Sequence, residues 1–440
     1  MECARFFTKR KENRMDKKIL VATMYLKDGV PVKSRKDLTP VGDLKQLANI
    51  YSDSGIDKIF VFDISETDEE HDKNLLCIRE LNRNIQIPTC GGGNIERIED
   101  VKKLFYAGCK QVMLNGTKPS CMELATECAN RFGKDRILVS VKNVDFIFKH
   151  QDEINELFHE LFVMDESVLD AVDNLSDTPY VVRYNGDNID DMYEFLSREN
   201  SRGISGLLFN NTQTDIMMLK TELSNRGIWM DNFKPAFQWS DLKKNSDGMV
   251  PCIVQDYQTN EVLMLAYMNE EAYYKTLSCG KMTYYSRSRN QLWTKGETSG
   301  HLQYVKSLTA DCDYDTILAK VSQIGPACHT GSPTCFFNEI VRKSYIEKNP
   351  LRVLESLYDT ISDRRINPKE GSYTNTLFDK GLDQILKKLG EEATEIVIAS
   401  KNPNPEEMKS EISDFLYHMV VLMVEKGITW EDITRELSQR

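Results

Sequence analysis

Residues 17–230 alternate short apolar runs with amphipathic segments, and this alternation limits the possible folds more than any other feature of the chain. Six runs show the apolar character of strands buried on both faces of a parallel sheet: ILVATMYL, KIFVFDI, QVMLN, ILVSV, YVVRY and GLLFN. The segments GDLKQLANIYSDSG and IERIEDVKKLFYAG predict helices, the second ending at Gly108. Strand–helix alternation predicts an α/β layer or a TIM-like barrel. The pattern blurs around 145–175, so the number of strands stays open.

Two further domains follow. DGMVPCIVQDYQTNEVLMLAYMN predicts a β-hairpin and belongs to a small α+β domain over 233–340. VRKSYIEKNP has linker-like composition, and 350–440 is helical throughout, with Asn404 and Pro405 starting a helix. Its apolar residues recur at three- and four-residue steps, which predicts a buried stripe: Leu382, Ile385, Leu386, Leu389, Ala393, Ile396 and Val397. The expected fold is therefore an N-terminal barrel over 17–230, a small α+β domain and a C-terminal all-α bundle.

Composition excludes several classes of protein. A net charge of −12 argues against nucleic acid as a partner, because backbone binding needs a basic face. We expect no membrane segment, since no apolar run approaches the roughly 18 residues of a spanning helix. The 11 scattered cysteines indicate reduced thiols and a cytoplasmic protein. The first 18 residues, basic but without an apolar core, are open to three interpretations: a flexible tail, a start at Met15, or a weaker transit-peptide signal.

The segment DCDYD at 311–315 is the densest chemical signal in the chain. If it is extended, Asp311, Asp313 and Asp315 share one face and Cys312 lies on the other. Three carboxylates on one face are tolerated in water, as a solvated acidic edge, or around a hard cation such as Mg²⁺. Both interpretations stay open on the spacing alone.

Downstream, Cys328 and Cys335 bracket a Gly/Pro turn in GPACHTGSPTCFF. With Cys312 they give three thiolates, one fewer than a closed structural zinc site, and an open position is what a catalytic zinc needs. His329, beside Cys328, is a candidate for proton transfer near neutral pH. A structural zinc knuckle, or two unrelated buried thiols, are the alternatives.

The segment YYSRSRNQLWTKGETSGH supplies candidate substrate-binding residues. Arg287, Arg289 and Lys295 are suited to phosphates and Trp293 to stacking on a base, and Glu297 is a further candidate.

With these motifs, 237–337 closely resembles phosphoribosyl-AMP cyclohydrolase, on MLAYMNEEA, YYSRSRNQLWTKGETSG, DCDYDTILAKVSQIGPACHTG and CFF. The resemblance implies that water opens the adenine ring of phosphoribosyl-AMP at its N1–C6 bond. It implies zinc on Cys312, Cys328 and Cys335, and magnesium on Asp311, Asp313 and Asp315. It also implies a homodimer whose zinc site mixes thiolates from both chains.

The C-terminal region carries two acidic clusters at helical spacing. Glu391, Glu392 and Glu395 lie within one sector of a helix, where like charges repel unless a cation binds. Glu411 and Asp414 repeat the three-residue step on the next helix, and antiparallel packing brings the clusters together. A solvated acidic face is the alternative interpretation. Three lysines on preceding turns are suited to neutralising phosphates: Lys380, Lys387 and Lys388.

LFDKGLDQILKKLGEEATEIVIASK and EISDFLYHMVVLM, within 377–440, resemble phosphoribosyl-ATP pyrophosphohydrolase. The resemblance implies magnesium held by Glu392, Glu395, Glu411 and Asp414, with Glu391 as a further ligand. Water then attacks the phosphate chain of a bound nucleotide and pyrophosphate leaves. Glu392 and Glu395 are also the expected catalytic residues.

Residues 17–230 resemble, less closely, the barrels of two histidine-biosynthesis enzymes, the phosphoribosylformimino-carboxamide isomerase and the cyclase of imidazole-glycerol-phosphate synthase. LKDGVPVK, FDI, IPTCGGGNIERIEDV and AGCKQVMLN carry the resemblance, and PYVVRYNGDN replaces the expected Gly-rich phosphate loop. The relatives need an aspartate on the first and on the fifth strand. Tyr25 and Lys142 stand at those positions, so we expect a degenerate barrel without this catalysis.

The sequence therefore predicts a bifunctional, zinc- and magnesium-dependent, nucleotide-binding hydrolase that acts on phosphoribosyl-ATP and then on phosphoribosyl-AMP. Three alternatives remain: only one hydrolase is active and the chain is mainly a scaffold, the middle domain is a zinc-stabilised binding module, or the last domain clears damaged nucleotides. The absence of a four-ligand zinc-finger spacing argues against the second. The domain pairing argues against the third.

Overall fold

The computed structural model describes residues 17–344, 349–403 and 405–438, and divides into two compact units, Met1–Asn338 and Glu339–Arg440. The N-terminal expectations that concern residues 1–16, and the helix start at Asn404, lie outside the described residues.

The first part of the first unit alternates strands and helices, as the apolar runs predicted. Its strands are β1 (Ile19–Lys27), β2 (Val30–Val32), β3 (Lys58–Asp63), β4 (Thr89–Gly92), β5 (Gln111–Asn115), β6 (Ile137–Val141), β7 (Glu160–Val163), β8 (Tyr180–Arg183) and β9 (Ser201–Ser205). Its helices are α1 (Leu44–Ser54), α2 (Asp68–Asn84), α3 (Ile98–Tyr106), α4 (Cys121–Phe132), α5 (Val144–Leu157), α6 (Leu169–Leu175), α7 (Ile189–Ser197), α8 (Leu207–Asn210) and α9 (Ile216–Asn225).

Eight parallel strands close into a barrel, which confirms the TIM-like prediction. The strands run in the order β1, β3, β4, β5, β6, β7, β8, β9, and β9 pairs back onto β1 through Ile19 and Gly203. The short β2 adds only an antiparallel hairpin to β1. The barrel interior is filled by alternate residues of each strand, among them Phe60, Cys90, Leu138, Phe162 and Val181.

The sequence patterns missed three of the eight barrel strands and the short β2, and misassigned one further segment. β4, β7 and β9 were not among the predicted runs, because they are short and contain glycine or charged residues. Glu160 in β7 is buried against Lys58, whose ammonium lies 2.9 Å away and balances its charge. GLLFN was predicted as a strand, and this prediction was wrong: it forms α8, because a short apolar run has no periodicity that separates a buried helix from a strand.

The rest of the first unit is a small α+β fold. Its strands are β10 (Val250–Asp256), β11 (Val262–Met268), β12 (Thr283–Ser286), β13 (Gln291–Thr294), β14 (Gln303–Ala310) and β15 (Ile317–Gln323), with helix α10 (Glu270–Cys279) between β11 and β12. β10 and β11 form the expected hairpin in a four-stranded sheet of order β11, β10, β15, β14, and β12 pairs with β13.

Polar contacts join the barrel to this sheet within the first unit. Asp53 of α1 accepts hydrogen bonds from Lys306 of β14 at 2.6 Å and from Ser322 of β15 at 2.7 Å. Lys281 donates to Asp215 at 2.7 Å nearby. The barrel therefore holds the two strands whose connecting turn carries the acidic segment 311–315.

The second unit is helical, as predicted. Its helices are α11 (Pro350–Ile366), α12 (Tyr373–Lys380), α13 (Leu382–Ala399), α14 (Pro405–Lys426) and α15 (Trp430–Ser438). The predicted stripe on α13 is only partly buried: Ile385 is buried, whereas Leu386 and Val397 are 46% and 60% exposed. The periodicity located the apolar face of the helix, but the helices of one unit do not cover it completely.

Two general expectations concern the cysteines and membrane-spanning segments. The ten cysteines in the described part of the chain are all free thiols, in agreement with the expectation of reduced cysteines. In the described part of the chain, no helix combines the length and apolar character needed to cross a membrane.

Candidate active sites

The acidic segment of the middle domain forms the turn between β14 and β15. It is not extended as supposed, because Tyr314 adopts a left-handed conformation (φ +64°) and Asp311 Oδ1 accepts from the amides of Asp315 and Thr316 at 3.0 and 3.1 Å. The turn nevertheless brings Asp311, Asp313 and Asp315 together, with one oxygen of each within 4.8 Å of the others. Desolvation raises the pKa of Asp311, but the hydrogen bonds from Thr316 and Asp315 outweigh it, so its pKa lies below the usual value. An exposed donor set made only of oxygens fits a hard divalent cation.

Cys328 and Cys335 lie together in the loop after β15. The Thr330 hydroxyl donates to Cys328 Sγ at 3.2 Å, and with the Thr330 amide it lowers the pKa of Cys328. Burial, followed by the contact with Cys328, raises the pKa of Cys335. Two adjacent sulfur donors, one of them stabilised as a thiolate, fit a soft cation such as zinc.

Cys312 does not join this pair within one copy of the chain. Two groups of three His, Cys, Asp or Glu side chains have mutually close ligand atoms among the described residues, and neither contains a cysteine. Cys312 is exposed in the β14–β15 turn, so its thiol is accessible from outside the subunit. His329 is also exposed, with Nδ1 3.9 Å from Cys328 Sγ.

The candidate substrate-binding residues fall into two environments. Arg287 and Arg289 lie exposed on the β12–β13 turn, with the Arg287 guanidinium 4.0 Å above the Tyr267 ring, and Glu297 is also exposed. Trp293 is 38% exposed on β13, and its ring lies 5.5 Å from that of Tyr284.

The sequence predicted that Lys295 binds phosphates together with Arg287 and Arg289, but Lys295 lies in a different environment. It is buried beside the two thiols, and burial lowers its pKa while Cys335 and Cys328 act in the opposite direction. Its ammonium is therefore placed next to the sulfur donors instead of on the open face with the arginines.

In the second unit, packing of α13 on α14 brings the two acidic clusters together. Glu392, Glu411 and Asp414 have oxygens within 4.8 Å of one another. Desolvation, followed by hydrogen bonding to Glu395 and the charges of Glu395, Glu392 and Asp414, raises the pKa of Glu411. Four carboxylates from two facing helices therefore repel one another, and a divalent cation would relieve this repulsion.

Buried His418, one turn beyond Asp414, fixes the geometry of this cluster. Its Nδ1 donates to the Asp414 carbonyl at 2.9 Å and lies 3.6 Å from Glu392 Oε1, while Nε2 lies 3.2 Å from the Tyr373 hydroxyl. The sequence patterns assigned no role to His418, to Tyr373 or to Thr330, which donates to Cys328. The four-residue step from Asp414 to His418 was the available signal, whereas the position of Tyr373 depends on tertiary packing.

Glu391 lies outside the group formed by Glu392, Glu411 and Asp414. It pairs with Lys388 at 3.0 Å and Lys387 at 3.5 Å, and the hydrogen bond from Lys388 lowers its pKa. Lys380 is exposed at the end of α12. Lys387, Lys388 and Glu391 thus form an ion-paired group of their own on α13.

Tyr25 and Lys142 both lie at the mouth of the barrel, where the parallel strands end. Tyr25 stands on β1 with its ring stacked on Phe62 at 5.6 Å, and exposed Lys142 follows β6. Gly92 and Gly93 of the GGG motif are needed for packing: a Cβ would approach Phe62 at Gly92, and the Asp63 carbonyl at 2.0 Å at Gly93, whose φ is +83°.

Models of three protein families match the chain. The model described as histidine biosynthesis protein matches residues 19–215, phosphoribosyl-AMP cyclohydrolase matches 264–337, and phosphoribosyl-ATP pyrophosphohydrolase matches 354–440.

Similar curated proteins cover the two C-terminal domains. The histidine biosynthesis bifunctional protein HisIE of Thermoanaerobacter pseudethanolicus is 52% identical over 44% of this chain and 97% of its own length. That of Bacillus subtilis is 46% identical over 46% of this chain and 96% of its own length. The alignments span less than half of this chain and nearly all of each relative.

Proposed function

This chain belongs to the family of the histidine biosynthesis bifunctional protein HisIE, and from that premise we propose which residues perform its reactions. The protein hydrolyses phosphoribosyl-ATP to phosphoribosyl-AMP and pyrophosphate, and then opens the adenine ring of phosphoribosyl-AMP. The product of the helical domain is the substrate of the middle domain. The observation that carries the assignment of residues is the presence of one cluster of carboxylates in each of the two units, with the pair Cys328 and Cys335 in the first unit as well.

We propose that the pyrophosphohydrolase site is the acidic cluster between α13 and α14. Glu392, Glu395, Glu411 and Asp414 would hold magnesium, which when bound neutralises the phosphate chain and acidifies a water. Glu392 and Glu395 also orient the attacking water and accept its proton. His418 holds Glu392 in place, and we retain Glu391 as an outer ligand, although its ion pairs with Lys387 and Lys388 favour a supporting role. Lys380, Lys387 and Lys388 contact the phosphates of the nucleotide.

We propose that the cyclohydrolase site lies around the β14–β15 turn and the following loop. Asp311, Asp313 and Asp315 would hold magnesium, and the three thiols, Cys312, Cys328 and Cys335, would hold zinc, which when bound supplies a nucleophilic water at neutral pH. His329 accepts a proton from the water that adds to C6 and returns one to N1 as the N1–C6 bond breaks.

Substrate binding in the middle domain is assigned from exposure and chemistry. Arg287 and Arg289, on an exposed turn, bind the phosphate groups, and Trp293 stacks on the base. Glu297 accepts hydrogen bonds from the substrate. Lys295, buried beside the thiols, balances their negative charge and orients the reacting ring instead of reaching a distant phosphate.

The position of Cys312 supports a homodimer formed through the cyclohydrolase domain. Its thiol is exposed and apart from Cys328 and Cys335 of the same chain, and Phe336 and Phe337, next to Cys335, are 62% and 50% exposed. Exposed adjacent aromatic rings favour burial at an interface. We therefore propose that Cys312 completes the zinc site of the partner subunit.

Mixed dimers test this proposal. Cys312→Ser and Cys328→Ser homodimers should each lack cyclohydrolase activity. Refolding them together should restore about one quarter of wild-type activity, because half of the dimers are mixed and each has one intact site of two. If all three thiols came from one chain, mixed dimers would have two broken sites and no activity would return.

We propose that the barrel performs neither isomerase nor cyclase chemistry, since Tyr25 and Lys142 occupy the positions of the acids that the relatives use. Its contacts with β14 and β15 support a structural role for it.

The central experiment is incubation of the purified chain with phosphoribosyl-ATP, following pyrophosphate and the ring-opened product separately. The wild-type protein should form both. Cys328→Ser should lose ring opening and bound zinc while pyrophosphate release continues, because the acids of the second unit are unchanged. Cys279→Ser is a matched control, since that buried thiol contacts the Lys281 carbonyl in the same domain and is not a proposed ligand. Pyrophosphate release without ring opening by the wild-type protein would favour the alternative of one active hydrolase and a scaffold.

A further inference from the structure

Tyr373 belongs to neither proposed set of metal ligands, yet its hydroxyl lies 3.2 Å from Nε2 of His418. Tyr373 is the first residue of α12, directly after the N-cap Ser372, whereas His418 lies on α14, 45 positions further along the chain. The Tyr373 side chain is half exposed, and that of His418 is buried. The contact therefore joins the start of one helix to the interior of the pyrophosphohydrolase site.

The hydrogen bonds of His418 select one tautomer of its ring. Nδ1 donates, because the Asp414 carbonyl at 2.9 Å can only accept, and Glu392 Oε1 lies 3.6 Å from the same nitrogen. In the neutral imidazole the other nitrogen carries no hydrogen, so Nε2 accepts from the Tyr373 hydroxyl. Turning the ring over would place carbon atoms where both nitrogens stand, and both hydrogen bonds would be lost.

Ring packing fixes Tyr373 in turn. Its ring is stacked on that of Tyr417, with centroids 6.3 Å apart and 23° between the planes, and it lies edge-on to His418 at 6.1 Å. The Tyr417 hydroxyl pairs with the Thr374 hydroxyl at 2.7 Å, which is a second link between α14 and α12. The two tyrosines thus make similar contacts between the same helices, but only the Tyr373 hydroxyl contacts a nitrogen of His418.

Glu392 gains most from a fixed imidazole. It is 7% exposed, and one of its oxygens lies within 4.8 Å of oxygens of Glu411 and Asp414. A buried carboxylate among like charges is stabilised by an N–H group directed towards it. Nδ1–H of His418 is such a group only while the ring keeps its present orientation.

We propose that Tyr373 is a positioning residue of the pyrophosphohydrolase: its hydroxyl holds His418 in the orientation that directs Nδ1–H at Asp414 and Glu392. The proposal rests on the assignment of the reaction to the cluster between α13 and α14, and it adds a residue of α12 to that site. Hydrogen-bonding partners of metal ligands typically contribute about 10- to 100-fold to metal affinity or activity. A purely structural link between the two helices is the alternative.

Nitrogen NMR of the metal-free full chain, with isotope-labelled histidine, tests the contact without any reaction. The signals of His418 are identified by their loss in His418→Gln. The Nε2 signal should move in Tyr373→Phe, which keeps the ring and removes only the hydroxyl donor. It should stay in place in Tyr417→Phe, the matched control. An Nε2 signal that is the same in the wild type and in Tyr373→Phe would overturn the proposal.

The consequence for the site is measured by pyrophosphate release and by calorimetric titration with Mg²⁺. Tyr373→Phe should lower kcat and weaken Mg²⁺ binding by about 10-fold, the lower end of the range for such partners, with the KM for phosphoribosyl-ATP little changed. Tyr417→Phe should stay close to the wild type in all three quantities. The double variant Tyr373→Phe/His418→Gln should be no worse than His418→Gln, because the hydroxyl acts through His418.

Two results of these assays would contradict the positioning role. Equal losses in Tyr373→Phe and Tyr417→Phe would make Tyr373 a structural link between helices, and so would additive effects in the double variant. A failure of the reaction assignment would look different, because the wild type itself would release no pyrophosphate while the NMR contact remained. Ring opening should be unchanged in every variant, since all the substitutions lie in the second unit.

Discussion

Replacement of Asp53 tests whether the barrel stabilises the cyclohydrolase domain. The Asp53 carboxylate has only 7% of its side chain exposed and accepts from the Lys306 ammonium at 2.6 Å and the Ser322 hydroxyl at 2.7 Å. Asp53→Ala removes two hydrogen bonds that involve a charged group and leaves Lys306 without its partner. Such bonds contribute about 1.5–3 kcal/mol each. Lys306 keeps 25% of its side chain exposed, so water replaces part of the interaction. We therefore expect the free energy of unfolding of the first unit to fall by about 2–4 kcal/mol.

The assay is urea unfolding of the full chain, with Lys306→Met and the double variant completing a double-mutant cycle. The coupling between Asp53 and Lys306 should exceed about 1 kcal/mol. Asp190→Ala is the control, because Asp190 pairs with Arg226 with 77% of its side chain exposed, and surface pairs contribute roughly 0–1 kcal/mol. Equal effects of Asp53→Ala and Asp190→Ala, or zero coupling to Lys306, would refute the reasoning. Cyclohydrolase activity should be lost at lower urea in Asp53→Ala than in wild type, while pyrophosphate release should be unchanged.

Three further predictions concern the proposed sites. Glu395→Gln should sharply reduce pyrophosphate release and raise the magnesium requirement with the helix intact; unfolding seen by circular dichroism would instead make the carboxylate structural. In the metal-free protein the pKa of Glu411 is raised, so the folded state binds the proton of this carboxyl group more tightly than the unfolded state does. The protonated Glu411 therefore contributes most to the stability of the folded state at low pH. This contribution is lost as the pH rises from about 4 towards neutrality. Melting temperatures of wild type and Glu411→Gln across this range should diverge as pH rises, with the variant the more stable, and parallel curves would contradict the raised pKa. Neither the full chain nor purified residues 15–230 should show isomerase or cyclase turnover, and any such turnover would show that other residues supply the acid and base.

The sequence alone determined the class of each region and both hydrolase activities. Apolar runs separated by amphipathic segments are a local property, and they were sufficient for the barrel, the β10–β11 hairpin and the helical second unit. The acidic spacing in DCDYD likewise identified three carboxylates that lie together, because residues close in sequence on a turn remain close in space. Glu392 of EEATE meets Glu411 and Asp414 only because α13 packs on α14.

Only the tertiary structure decided which groups meet across long sequence separations. Strand β7 was missed because the charge of Glu160 is offset by Lys58, a residue 102 positions away. Three further contacts are equally nonlocal. Lys295 is buried beside two thiols, Tyr373 orients His418, and Asp53 accepts hydrogen bonds from β14 and β15. A sequence pattern reports the burial and periodicity of one segment, whereas hydrogen bonds, ion pairs and the coverage of an apolar helix face depend on which other segment packs against it. This is why the residues of each proposed site could be predicted from the chain, whereas the side chains that pack against them, and the contacts of the barrel with β14 and β15, could not.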